Sequence, residues 1–133
     1  MARVASAYEL PFSNNTFDRV FMIAVLAETP NRKKALLEIK RVLRDEGLLA
    51  IGEFLLDPDY PCRRTVTDWC KDAGFELVEG YRGILHYLLT LKKSTVMPRK
   101  TEATNKRDRI VCIRCTSRFL PGGWARADTT RTP

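Results

Sequence analysis

The sequence predicts an α/β fold whose sheet mixes parallel and antiparallel strands, and three observations predict it. Two nearly unbroken apolar runs of strand length, 17–26 (FDRVFMIAVL) and 48–56 (LLAIGEFLL), are separated by a segment of helical periodicity. A second helical segment follows the second run. Two β-leaning stretches, 75–81 (FELVEGY) and 84–91 (ILHYLLTL), then meet around Arg82-Gly83, a connection short enough to imply an antiparallel pair. Strands joined through a helix run parallel, so the hairpin adds antiparallel strands to a parallel start.

Each element has its own signal. A continuous apolar run such as 17–26, rich in Val, Ile and Phe, suits a strand buried on both faces. Thr29-Pro30 reads as an N-cap and first helical position. Ala35, Leu36, Ile39, Val42 and Leu43 share one face of the helix that follows, and Gly47 marks its expected end. The turn 57–61 (DPDYP) opens a second helix with Cys62, Val66, Trp69, Cys70 and Ala73 on its apolar face and Gly74 at the left-handed C-cap. After Lys92-Lys93 the character changes. Residues 94–109 are polar and basic, 109–115 (RIVCIRC) suits a short strand, and 121–133 has two prolines, two adjacent glycines and no periodicity. The expected boundary falls near residue 93, with residues 94–133 as a basic tail of low order.

Composition sets the outer limits. A chain of 133 residues is about one domain long, and 44% hydrophobic with 29% charged residues is enough to build a core. No run approaches the ~20 apolar residues of a membrane-spanning helix. The start lacks the apolar stretch of a secretion signal, so a cytoplasmic location is expected, with Cys62, Cys70, Cys112 and Cys115 as reduced thiols. The net charge of +7 is uneven: residues 94–133 hold nine basic residues against three acidic ones, and residues 1–93 are close to neutral.

The segment SAYELPFSNNTFDRVFMIAVLAETPN (6–31) carries a recognisable pattern. Ala7, Leu10-Pro11-Phe12, Asn14-Asn15 and Phe17-Asp18 precede the first buried strand. Then EIKRVLRDEG (38–47), GEFLLDPDYP (52–61) and DWCKDAGFELVEGYRG (68–83) follow in order. Over residues 4–93 this resembles the C-terminal half of class I S-adenosylmethionine-dependent methyltransferases, specifically the type 11 group that includes ubiquinone and menaquinone biosynthesis enzymes. The resemblance implies a partial Rossmann-like sheet, strands 4-5-7-6 of the family order 3-2-1-4-5-7-6, with two helices and without the N-terminal half. It implies S-adenosylmethionine as cofactor and a small-molecule methyl acceptor. The family's adenine-contacting Asp falls at Ser6, and its usual His after the fourth strand falls at Glu28. The cofactor-side positions it implies are Ser6, Ala7, Ile23, Ala24 and Leu26, with no single catalytic residue. The seven glycines (47, 52, 74, 80, 83, 122 and 123) form no glycine-rich turn between a strand and a helix, so activity by this chain alone is not expected.

Other features compete with that reading. With its neighbouring strand missing, the run 18–26 is expected to be an exposed sheet edge that pairs with a second copy or another polypeptide. Cys112-x-x-Cys115 has the spacing of a zinc or redox motif, but the single His86 is remote and no helical pattern follows, so two ordinary thiols are the simpler reading. His86 in its strand reads as a packed or edge residue. Asp57, Asp59 and Tyr60 read first as helix-capping turn residues. The basic tail has Phe119 and Trp124 as its aromatics and no helical stripe of charge, which favours a solvated tail over nucleic-acid binding.

Overall fold

The computed structural model of the chain describes residues 2–54, 60–94, 109–115 and 124–130. In chain order the elements are β1 (Ala2–Ser6), β2 (Phe17–Ile23), α1 (Arg32–Val42), β3 (Leu43–Phe54), α2 (Arg63–Asp72), β4 (Phe75–Arg82), β5 (His86–Lys93), β6 (Ile110–Cys115) and β7 (Trp124–Thr130). These strands form one sheet in the order β1-β7-β6-β2-β3-β5-β4. β2 and β3 are parallel, and β5 is antiparallel to both β3 and β4. The block β2-β3-β5-β4 reproduces the run 4-5-7-6 with its two helices.

Helix α1 forms because Ala35, Leu36, Ile39 and Val42 recur at helical spacing, and all four are buried. It starts two residues later than the sequence suggested. The buried Thr29 hydroxyl donates back to the Val25 carbonyl (2.8 Å), leaving Asn31 Oδ1 to accept from the Lys34 amide (3.0 Å) as the cap. It ends at Val42 rather than Gly47 because Leu43 is already extended and pairs with Phe17. In α2, Gly74 takes the expected left-handed conformation (φ 84°) just beyond the helix.

Phe17 faces Leu43 while Arg19 faces Leu48, so residues 44–47 bulge out of the β2–β3 pairing. Gly47 sits in that bulge, where a Cβ would lie 2.6 Å from Leu43 Cδ1 and 2.9 Å from the Arg44 carbonyl oxygen. Gly47→Ala is therefore expected to destabilise the fold by about 1–2 kcal/mol through overpacking. The check is a fall in the urea midpoint at unchanged slope; an unchanged midpoint would mean that the bulge opens freely.

One face of the sheet carries the core. Val20, Met22, Leu49, Ile51, Leu89 and Leu91 alternate along their strands and are fully buried, in one cluster with the α1 residues and with Val66 and Cys70 of α2. Burial raises the Cys70 thiol to about 12. The opposite face is more open: Ile23, Phe54, Tyr81 and Leu88 are between 36% and 61% exposed.

Two expectations are corrected here. The edge of β2 is not open: β6 lies parallel along it through five residue pairs, from Arg19 with Ile110 to Ile23 with Arg114. The segment beyond Lys93 is not wholly of low order, since it supplies β6 and β7. The physical reason is alternation: Val111 and Ile113 are buried and extend the core past β2. Asp18 fixes the junction, its carboxylate accepting from the Arg109 amide (2.7 Å) and from Arg44 Nη1 (2.6 Å). β7 then pairs antiparallel with both β6 and β1, tying the first strand into the sheet. Residues 95–108, 116–123 and 131–133 of the expected tail lie outside the described residues, as do Asp57 and Asp59. No described helix is long and apolar enough to cross a membrane.

Candidate functional site

The strand pairings run β1, β6, β2, β3 and β4 in the same direction, so their C-terminal ends gather at one end of the sheet. That end is where open α/β sheets bind ligands, in the crevice where strand order reverses. Here the reversal lies between β6 and β2, with β3 following β2 outward on one side and β1 reached through β7 on the other.

All five positions that the sequence resemblance assigns to the cofactor side lie at or beyond this end, in two groups. Ser6 ends β1 and Ala7 follows it; Ile23 ends β2, with Ala24 and Leu26 just after. β7 and β6 stand between β1 and β2, so the two strand ends are about 14 Å apart at about 4.8 Å per strand. Ile23 is partly exposed on the open face. Ala24 leaves the sheet in the left-handed region (φ 51°), its amide donating to the Gly52 carbonyl (2.9 Å). A non-glycine residue there is uncommon, and such outliers concentrate at functional sites. The reversal turns Val25 and Leu26 into the core, so Leu26 offers a ligand only its backbone. Ala7 is buried likewise. The Ser6 hydroxyl accepts from the Tyr8 amide (3.2 Å) and keeps its own proton to donate.

The loop beyond Ser6 is held by α1. Glu38 Oε1 accepts from the Leu10 amide (2.8 Å) and from Arg41 Nη2 (2.6 Å), while Arg41 also donates to the carbonyls of Phe12 (2.9 Å) and Leu10 (3.1 Å). Tyr8 OH accepts from the Asn31 amide (3.1 Å). On the β2 side, Arg32 stacks over Trp69 at 4.4 Å and donates to the Ala27 carbonyl, bracing the 24–31 loop.

Two features of this end escaped the sequence reading. Glu53, near the end of β3, is 1% exposed beside Tyr87; burial first, and then the charge of Glu53, push the Tyr87 phenol up. Its signal was a single carboxylate inside the apolar run LLAIGEFLL. The other is the ring set of Phe54, His86 and Tyr81: His86 lies 6.0 Å from Phe54 and 5.8 Å from Tyr81, centroid to centroid. Tyr60 packs edge-on to Tyr87 at 5.5 Å. Cys62 stands at the N-cap position of α2, and its Sγ lies 3.0 Å from Thr65 Oγ1, a hydrogen bond that holds its thiol below the ordinary value. Cys112 is half-buried in β6, and the described residues contain no cluster of three or more metal-ligating side chains.

A family profile described as "Methyltransferase domain" matches residues 1–51. A 27-O-demethylrifamycin SV methyltransferase of Amycolatopsis mediterranei is 28% identical over 115 residues, which are 86% of this chain and 42% of that protein. The chain thus spans less than half the length of this relative. Among solved structures, a SAM-dependent methyltransferase from Aquifex aeolicus superposes with a TM-score of 0.61 at 22% identity, covering 65% of this chain and 51% of that one. A Burkholderia thailandensis 1,6-didemethyltoxoflavin-N1-methyltransferase, solved with 1,6-didemethyltoxoflavin and S-adenosylhomocysteine bound, superposes with a TM-score of 0.56 at 22% identity, over 67% of this chain and 48% of its own.

Proposed function

We propose that this chain, part of a class I S-adenosylmethionine-dependent methyltransferase domain, supplies the acceptor side of a site that methylates an oxygen of a small organic molecule. The observation that carries the proposal is the sheet end itself, where the β2-β3-β5-β4 block of the family presents Ile23 and Ala24 at the strand-order reversal. The oxygen acceptor is suggested by the Amycolatopsis relative, a 27-O-demethylrifamycin SV methyltransferase. Residues 1–93 carry the methyltransferase part, and the segment from residue 94 adds β6 and β7, which join β2 to β1 within the same sheet. The chain's reach is the cytoplasm, with a small-molecule acceptor as its partner.

The described residues fit a share of the cofactor and not the whole. Ile23 offers an apolar wall, Ala24 and Leu26 offer backbone, the Ser6 hydroxyl has a proton to donate, and Ala7 contributes its backbone. When bound, S-adenosylmethionine supplies an activated methyl group. The chain's part is to orient the acceptor oxygen and exclude water, and proximity of that kind carries much of such a reaction's rate.

The expected affinity follows from that share. A micromolar site is worth about 8 kcal/mol, so half the contacts leave about 4 kcal/mol, a dissociation constant near 1 mM. Saturation-transfer NMR with S-adenosylhomocysteine is expected to show binding at that level, with Ile23→Asp abolishing it. A folded chain giving no transfer, or equal transfer from Ile23→Asp, would overturn the proposal; micromolar binding would overturn the half-site reading and show a complete site.

A further inference from the structure

We infer that β1, β6 and β7 form one opening unit, hinged at Ser6-Ala7, whose docking on β2 sets the span of the ligand crevice. Its coupling to a ligand rests on the methyl-transfer reading, whereas the unit itself stands on the sheet topology.

The sheet divides at a single seam. β1 stands at the end of the sheet and pairs only with β7; β7 otherwise pairs only with β6, and β6 meets the remaining strands only along β2. The two helices contact chiefly β3, β4 and each other, so neither is a main support of these three strands. What holds the seam is short: five residue pairs, the buried Val111 and Ile113, and a latch at Asp18. There the Asp18 carboxylate accepts from the Arg109 amide (2.7 Å), and the Arg109 carbonyl accepts from the Asp18 amide (2.9 Å). The block β2-β3-β5-β4 keeps a core of its own, since Leu49, Ile51, Leu89 and Leu91 share a buried cluster with Leu36 and Ile39 of α1 and Val66 of α2.

Both chain connections allow the unit to leave. Lys92, Leu48, Arg19 and Ile110 share one row, so β5 ends at the same end of the sheet where β6 begins, about 14 Å away across three strand spacings. Fourteen residues (95–108) separate Ser94 from Arg109, and at about 3.3 Å each they can reach about 46 Å. At the other connection the chain belongs to the block from Tyr8 onward. Tyr8 OH accepts from the Asn31 amide, and Leu10 is gripped by Glu38 and Arg41. Away from β2, Val111 and Ile113 have no core to enter, so the three strands melt together. Segments held by few buried contacts open in this way at a lower free energy than the whole fold.

Opening carries Ser6 away from Ile23 and Ala24, the two groups that the seam holds apart at a fixed span. A ligand that touches both groups binds the docked form alone, so its binding favours docking.

Native-state hydrogen exchange of the full-length chain, followed by amide NMR, tests the unit without any ligand. The hydrogen-bonded amides of β1, β6 and β7 should share one protection factor, at least tenfold below that of β3 and β5. Asp18→Ala cuts the latch and should speed exchange in the three strands at least tenfold. Val66→Ala weakens a part of the block that stays packed when the unit opens. It should speed β3 and β5 at least fivefold and leave β1, β6 and β7 unchanged. S-adenosylhomocysteine at three times its dissociation constant should slow the three strands about fourfold. Protection of the three strands equal to that of β3 and β5, separate protection of β1 and β6, indifference to Asp18→Ala, or a unit that follows Val66→Ala would overturn the inference. So would bound S-adenosylhomocysteine that leaves their exchange unchanged, an outcome that spares the methyl-transfer reading. A folded chain that binds no S-adenosylhomocysteine sinks that reading, and the ligand-free exchange still decides the unit.

Discussion

Removal of residues 95–133 is expected to leave a chain that no longer folds as a monomer. Ser94 is retained because its amide donates to the Gly74 carbonyl (2.9 Å) and its hydroxyl to Glu76 (3.0 Å). The deletion takes away Val111 and Ile113, both at most 1% exposed in the core. At about 1.5–3 kcal/mol for each buried side chain, the loss is about 4 kcal/mol, against a total stability of about 5–15 kcal/mol for an ordinary domain. β1 loses all five of its pairs with β7, and β2 becomes a bare edge with Val20 and Met22 uncovered beside it. Light scattering should report polydisperse association, and the cooperative thermal transition should be lost. A truncated monomer with an unchanged melting temperature would mean that the hairpin adds nothing to the sheet. Ile113→Asp in the full-length chain separates the two effects of the deletion: it keeps every basic residue of the segment and places an unpaired charge in the core, so a similar collapse is expected.

The same elements show what the sequence disclosed and what it withheld. The β2-β3-β5-β4 block was legible because its signals are local: apolar runs of strand length, helical spacing from Ala35 to Val42, and a short link at Arg82-Gly83. β6 was visible only as a short apolar run, and β7 (WARADTT) carries no alternation of large apolar residues. β1 and β7 are specified by partners about 120 residues apart, and such non-local pairing leaves no periodicity to read. The start of α1 moved for a reason of geometry, since the same Thr29 hydroxyl either caps the helix or returns to Val25, and burial selects the second. At the site, motif order placed Ser6, Ala7, Ile23, Ala24 and Leu26 at one end of the sheet. It gave no sign that Ala7 and Leu26 point into the core or that three ring-bearing residues from separate strands converge there, because side-chain direction depends on pleat and register.

Arg41→Ala is expected to destabilise the fold by about 3 kcal/mol and to flatten its response to acid. The guanidinium holds Glu38 through Nε (2.9 Å) and Nη2 (2.6 Å), and spends its other donors on the Leu10 and Phe12 carbonyls and on Asn14 Oδ1 (2.8 Å). Removing it leaves the Glu38 side chain, 13% exposed, without its cation and frees the Leu10–Phe12 loop. The several charge-assisted bonds that this one half-buried guanidinium makes account together for that magnitude. Arg41→Lys should recover little, because an ammonium cannot reproduce the fork. The hydrogen bond from Arg41, foremost, holds the Glu38 carboxyl below its ordinary value of 4.5. The unfolded chain therefore takes up that proton at higher pH than the folded one. The stability this shift confers is complete above about pH 4.5 and is lost as the pH falls through the folded value. Urea unfolding at pH 7 and at pH 3.5 should show the difference between native chain and Arg41→Ala shrinking on acidification; a constant difference would mean that the pair stabilises by packing alone. Because the clamped loop begins at Ser6 and Ala7, loosening it should also weaken S-adenosylhomocysteine binding at pH 7, and unchanged binding would mean that the clamp serves the fold alone. A variant that also lost its cooperative urea transition would show global loosening in place of a local clamp.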